Sequence, residues 1–539
     1  MSEIINYYSK TKTILSNPHR AFNRKFFLVV SAFLQLFFAL TISTGMLPQS
    51  WAWSQILIAL AGCVFFDEYF GLLSLIIALP FWLALPNSKF DSLSAWRIVA
   101  AIVVLRSLAS LLWKKPIFTQ EFWKGLYLQL PKWDKYMLLV SMVAALSILF
   151  SKFPVEGLKK FLFFASVYSL YLVAVFLLRG KERIREATLA FFAGAATIVL
   201  IGYVQLTATF FSSTYHFWQY WATVISRAYY GSVLSNSLVY SNSWFSFAPH
   251  TAPTLRMFSM LPDSHAFAIV AMISFIPAVA LLADAKSKSA KIWLWIYIAL
   301  TSLAIDLSGT RGAWAGAVVP FIFAIYFFWK WVNPRIEIRR TILIFVLLAA
   351  FVVISPFAQK LIARLDHGYQ SGDFLQRAES IYDLQESSNA GRLMIWKHTI
   401  VYDLHHPILG TGLGNFVVTL SPNLNDYNTI ANTNQKAFNL PARYVTAHDL
   451  YLDVLTEIGL LGFILFALYF YKIVSELWKY GKHSRNQYLI AELIVLIWII
   501  AYSVFDGTLA NDRVLLFFVF SLAISGNIIL LLKSEDSNV

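Results

Sequence analysis

Two arginines and one histidine have the types and settings to do chemistry. Arg311 lies in SGTRGAWAG, Ser308 to Gly316, where two apolar runs meet with almost no loop between them. An arginine costs about 2.5–3.5 kcal/mol at the centre of a helix in lipid and less at its boundary. Arg311 therefore either snorkels to the interface or is kept there to hold an anion. Gly309 and Gly312 permit a tight turn with exposed amides, and the following helix N-terminus adds positive potential, which together make an anion cradle. Arg256 and Arg227 are the only arginines or lysines in an aromatic stretch, residues 212–263. Arg256 precedes Pro262, Asp263, Ser264 and His265, and there Asp263 or Ser264 reads first as an N-cap.

Further along, Asn389 to Phe416 reads as an amphipathic helix stopped by Pro407, with Leu393, Trp396, Ile400 and Leu404 at helical spacing and Arg392 near its start. Gly410, Gly412 and Gly414 then make turns; with no strand before them they are no nucleotide fingerprint. TAHDLYLDVLTEIGLLG, Thr446 to Gly462, leads into an apolar run. Thr446 and Asp449 approximate a capping box, which puts His448 in the first helical turn. A helix N-terminus disfavours a protonated imidazole, so this ring is placed to accept a proton from a hydroxyl; a local hydrogen bond at a helix start is the alternative. For Asp449, capping is the favoured role. No HExxH or Cys/His zinc pattern occurs, and the single cysteine, Cys63, excludes a disulfide framework and a CxxC site. Neither a metal nor a cofactor is expected.

The elements that must position these residues are membrane helices. Of the 539 residues, 58% are hydrophobic and 13% charged, about half the charged share of a soluble domain, which rules out an ordinary cytosolic enzyme. Apolar runs centre near residues 36, 59, 78, 104, 143, 168, 198, 273, 300, 321, 348, 461, 496 and 523, and the second and third are short enough to be a re-entrant pair. The expectation is an all-α polytopic membrane protein with about 12–14 transmembrane helices and two long external loops. Its parts are helices in 1–211, an aromatic external loop 212–263, central helices with the external arginine turn in 264–356, a large external loop 357–447, and C-terminal helices in 448–539. With the N-terminus inside, the inner segments carry 26 of the 43 lysines and arginines, so both termini are placed in the cytoplasm. That bias also accounts for the net charge of +14, so no nucleic-acid partner is read from it. A cleaved signal peptide is not expected.

Three patterns coincide: the SGTRG turn between spans, an R…W…P..G.G.GNF block in a long external loop, and AHxxYL…EIGLLG entering a helix. In their order and sidedness, over about residues 250–470, they resemble the O-antigen ligase and polymerase superfamily of membrane glycosyltransferases. Members often carry Asn after the motif histidine, where this chain has Asp449. The resemblance implies a GT-C-like fold and transfer of an undecaprenyl-diphosphate-linked glycan, without a metal, at the outer face of the bacterial inner membrane. It also implies that Arg256 and Arg311 hold the diphosphate and that His448 orients or deprotonates the acceptor, with Arg392 and Asp449 as further candidates. Acceptors would be lipid A core, a growing polysaccharide or a protein, and the aromatic loop offers faces for sugar stacking. A small-anion transporter using the same arginines is the competing reading; it would place ionisable groups near span midplanes, where Arg97, Arg106 and Asp306 are the exceptions in otherwise apolar runs.

Overall fold

The computed structural model describes residues 18–86, 94–114, 130–239, 244–246, 254–331, 387–416, 419 and 446–536. The span expected near residue 348, the basic segment 332–340 and much of the 357–447 loop lie outside these described residues. What is described is helical: α1 (Pro18–Ser43), α2 (Trp53–Phe65), α3 (Glu68–Ile77), α4 (Ala95–Lys114), α5 (Asp134–Leu149), α6 (Pro154–Leu177), α7 (Lys181–Ala208), α8 (Thr214–Tyr220), α9 (Ser226–Val239), α10 (Ser264–Asp284), α11 (Lys288–Leu307), α12 (Arg311–Trp331), α13 (Ser387–Asp403), α14 (Leu450–Ser484), α15 (Gln487–Tyr502) and α16 (Asp512–Asp536). A two-residue hairpin, β1 (Phe245–Ser246) against β2 (Thr254–Leu255), interrupts them. Among the described residues, seven helices are long and apolar enough to cross a membrane, and four shorter apolar helices accompany them. Closed backbone hydrogen bonding is what lipid demands of a spanning segment, so this is an all-α polytopic membrane protein.

Among the long apolar helices the most deeply buried are α10, buried almost throughout from Ser264 to Ala278, and α16. Around them the polar contacts sort into two ends. At one end Arg24 pairs with Glu186 at 2.6 Å, Arg106 with Glu68 at 3.4 Å, Lys181 with Glu535 at 2.8 Å and Lys533 with Glu476 at 3.1 Å. At the other, Tyr220 bonds the Thr44 carbonyl, Arg513 reaches the carbonyls of Trp82, Tyr229 and Met260, and Leu450 N–H donates to Ser503. None of these contacts mixes the two sets, and the alternation is the one the charge pattern of the sequence requires. Arg97 sits at the second end, 3.9 Å from Asp512, and Arg106, midway along α4, lies 3.4 Å from Glu68.

The short second and third apolar runs form α2 and α3, joined at Asp67, whose carboxylate caps α3 through Phe70 N–H. At 10 residues α3 is about 15 Å long, half the hydrocarbon thickness. Its buried continuation needs partners, and side-chain amides provide them: Gln55 accepts from Leu83 N–H and donates to Phe81, and Gln49 donates to Ala84 and Ala228.

The aromatic stretch 212–263 differs from the expected open loop. Where described, it folds into α8, a π-helical turn (Trp221–Ile225), α9 and the hairpin. Trp221, Tyr229, Tyr230 and Trp244 are buried, and Trp244 stacks on Phe258 and donates to the Pro262 carbonyl. These rings are packing surface, because an amphipathic aromatic buries its face whenever its polar edge finds a partner. These four rings are closed to sugar, whereas Tyr215 and Tyr220 of the same stretch are exposed.

Candidate functional site

The site begins at the hairpin. Arg256 N–H donates to the Trp244 carbonyl, which fixes the residue just beyond β2. Its guanidinium donates to the carbonyls of Ser308 at 3.0 Å and Gly309 at 3.2 Å, and approaches the Thr310 hydroxyl at 3.5 Å. Arg256 thus grips the SGTRG turn. Gly309 has φ 60°, and a Cβ there would lie 3.3 Å from Arg256 Nε. Thr310 closes the turn by donating to the Ser264 carbonyl, and Arg311, half-buried, opens α12 one residue later. The same helix start packs on the end of α15, where a Cβ on Gly312 would meet Tyr502 and Phe505.

Beside the turn, Asp263 caps α10 through Ala266 N–H at 2.7 Å, the role expected of it. Burial pushes its carboxyl up to about 6, helped by the nearby Asp506 and opposed by the cap and Arg256. His265 follows on the first turn of α10. Its Nδ1 lies 2.9 Å from the Tyr502 hydroxyl and 3.3 Å from Asp506 Oδ2.

Asp506 is the hub. It lies between α15 and α16 with its side chain 9% exposed. Oδ1 accepts from Thr508 N–H at 2.9 Å and from the Thr508 hydroxyl. Oδ2 faces His265 and, at 3.9 Å, Nδ1 of His448. Burial alone would raise this carboxyl, yet His265, His448 and Thr508 hold it well below the usual carboxylate range. His448 is 45% exposed by side chain, so the ring has a carboxylate behind it and open space for an approaching group.

The structure corrects the setting of His448. Asp449 is itself the N-cap, accepting from Tyr451 N–H at 2.8 Å and Leu452 N–H at 3.1 Å. Thr446 makes no box with it and accepts from His448 N–H instead. His448 therefore precedes the helix and has φ 50°. The left-handed region costs a non-glycine residue roughly 1–3 kcal/mol and persists where neighbours over-determine it. Here they do: Ala447 N–H donates to Asp453 and the Ala447 carbonyl accepts from Trp396 of α13. What faces the imidazole is a carboxylate, with the helix dipole secondary.

Trp396 also fixes α13, on which Arg392 lies. Arg392 and Arg256 both stand close enough to His265 and Tyr502 to act on them electrostatically. So Arg256, Arg311, Arg392, His448 and Asp449 all fall at one end of the bundle, the first gripping the turn and the last capping α14. Asp506 and Tyr502 were not singled out by sequence. The only trace is DGT after an aromatic pair, which reads as an ordinary turn; His265 was noted without a partner.

The GTGLG stretch, by contrast, is structural. Thr411 N–H donates to the Thr456 carbonyl at 2.7 Å, and Asn415 clamps Phe153 through both its N–H and its carbonyl. The loop fits a break in α14 at Gly459, φ 67°, where Leu460 N–H bonds the Pro407 carbonyl.

No curated protein matches the chain. Residues 296–467 match the family model described as O-antigen ligase, a segment running from within α11 to within α14 and holding Arg311, Arg392 and His448; Arg256, His265 and Asp506 lie beyond it. The stretch with the arginine turn, α13 and the histidine turn is thus similar to the O-antigen ligase family, over less than half of the chain.

Proposed function

We propose that this protein transfers a glycan from an undecaprenyl-diphosphate donor to an acceptor hydroxyl at the outer face of the bacterial inner membrane, as an O-antigen ligase or a polymerase of O-antigen or exopolysaccharide. The observation that carries this reading is the convergence of a gripped arginine turn with a half-exposed imidazole backed by a buried carboxylate. The acceptor oxygen bonds to the anomeric carbon as the bond from that carbon to the diphosphate oxygen breaks. His448 takes the hydroxyl proton, and Asp506 steadies the resulting imidazolium. The bond electrons leave on the diphosphate. Arg311, Arg256 and Arg392 are the fixed cations for that growing charge, so the step asks for no metal. Charge bias puts the end bearing the site outside and both termini in the cytoplasm.

Anion transport is the second reading; Arg97 and Arg106, two of the three charges that motivated it, each stand beside a carboxylate. Purified protein in liposomes, given a synthetic undecaprenyl-diphosphate glycan and lipid A core, a growing chain or a peptide as acceptor, should form the joined product and lose it in His448→Ala. Absence of product with every acceptor, together with anion flux through the vesicles, would move the assignment to transport. In a Cys63→Ser background, a cysteine at Asn389 should react with an impermeant thiol reagent from outside, whereas one at Ser287 should be protected.

A further inference from the structure

Asp506 Oδ2 is shared by two imidazoles, and the nearer of them belongs to no motif of the matched segment. We propose that His265 is a positioning residue for glycan transfer, holding Asp506 Oδ2 toward His448 through its own Nδ1 while Tyr502 holds the ring. This rests on the glycan-transfer reading above.

The argument is geometric. Oδ1 of Asp506 is fixed by Thr508, which leaves Oδ2 as the working oxygen. Its closest ring nitrogen is His265 Nδ1 at 3.3 Å; His448 Nδ1 is at 3.9 Å. With its proton on Nδ1, His265 shares that N–H between the Tyr502 hydroxyl and, at the longer distance, Asp506 Oδ2, and its nearness keeps the carboxylate ionised in a buried place. The Tyr502 hydroxyl at 2.9 Å from the same nitrogen restrains the ring plane. The charged and titratable groups facing this pair come from every side: Arg256 from the hairpin, Asp263 at the start of α10, Arg392 from α13, His448 before α14, and Tyr502 from α15. His265 thereby links the arginine side of the site to the base side. Without its donor, Asp506 takes up a proton at higher pH, and a neutral carboxyl gives the His448 imidazolium little support.

The side-chain amide of Asn places its N–H near the position of Nδ1, and that of Gln places it near Nε2, so these two substitutions separate the nitrogens. His265→Ala should lower kcat by at least about tenfold with little change in donor KM, and the acid limb of its kcat–pH profile should move upward. Asn should restore much of the loss and Gln little; Tyr502→Phe should fall between wild type and Ala. A second readout does not depend on transfer. With ¹⁵N-labelled histidines, the His448 ring signal, identified by its absence in His448→Gln, should titrate at lower pH in His265→Ala and return toward its original midpoint in His265→Asn. An unmoved or raised His448 midpoint overturns the proposal, as does equal rescue by Asn and Gln in proteins that melt like wild type. Failure of the wild-type protein to make product under any acceptor would sink the transfer reading instead, and the ring titration would still report on His265.

Discussion

Two glycine turns lie at the same end of the bundle, and they do opposite things. In SGTRG, Gly309 turns the chain so that its carbonyls face an arginine and the next residue presents another. In GTGLG, positive φ at Gly410, Gly412 and Gly414 lets the chain press against backbone, with the Thr411, Leu413 and Asn415 amides all engaged by protein. Glycine content alone does not separate them. What separates them is the company: charged side chains around the first, carbonyl oxygens and a helix break around the second. Amides are satisfied internally in both turns, Gly309 N–H by the Asp306 carbonyl and Thr310 N–H by the Ser308 hydroxyl, so it is the arginine side chains and not exposed amides that mark the first.

The contrast can be broken most forcefully at the second turn. A Cβ on Gly410 would lie 2.2 Å from the Thr456 carbonyl oxygen, and one on Gly459 2.1 Å from that of Ile408. Positive φ adds about 1–3 kcal/mol at each. Gly410→Ala and Gly459→Ala should therefore cost folded protein outright, visible as loss of the monodisperse peak in detergent chromatography. A well-folded Gly410→Ala that has lost only donor binding would make GTGLG a ligand loop after all.

At the first turn the loss should be of activity in a folded protein. Removing a cation from a buried anion costs about 2–5 kcal/mol, so Arg311→Ala should bring transfer below detection. Lys should rescue it in part, since an ammonium cannot make the bidentate contact. Arg256→Ala should combine this with loosening of the turn it grips, and a lower melting temperature than Arg311→Ala would show that second effect. Full transfer by both Arg311→Ala and Arg311→Lys at normal protein levels would mean that Arg311 only snorkels.

Asp449 sharpens the comparison from the base side. Burial raises its carboxyl and two helix amides oppose that rise, a pattern a cap produces. Asn caps a helix about as well as Asp, so Asp449→Asn should retain most of the turnover, whereas Asp449→Ala should lose about 1 kcal/mol of stability. A dead, folded Asp449→Asn beside an active His448→Gln would transfer the base role to this carboxylate.

Much of this was legible in the sequence, because spans, the cap at Asp263 and the arginine turn depend on local pattern. Arg256 and Arg311 stood out because arginine is costly in an apolar setting. The Asp506 hub was hidden: its partners lie at positions 265, 448 and 502, and no local pattern joins them. His448 was singled out but set one step too far into the helix, since either Thr446 or Asp449 could cap and only Asp449 has its amides in reach. The aromatic stretch misled because the same rings serve an interface, a sugar platform or a packed core, and tertiary contacts decide among these.

The smallest expected effect concerns Asp263, which stands at the border between the gripped turn and the carboxylate hub. Its folded-state value of about 6 lies above the unfolded value of about 3.9. A group raised in this way contributes stability while protonated, fully present below the unfolded value and lost as pH rises through about 6. Asp263→Asn keeps the cap on Ala266 and removes the buried charge beside Asp506, so it should match wild type near pH 4. It should melt higher than wild type by pH 7, with the gap opening between those limits. Asp263→Ala lacks the cap and should melt lower throughout, by about 1 kcal/mol of stability. A gap between Asn and wild type that does not change with pH would mean that the Asp263 carboxyl is not raised on folding, so that neither burial nor Asp506 acts on its charge.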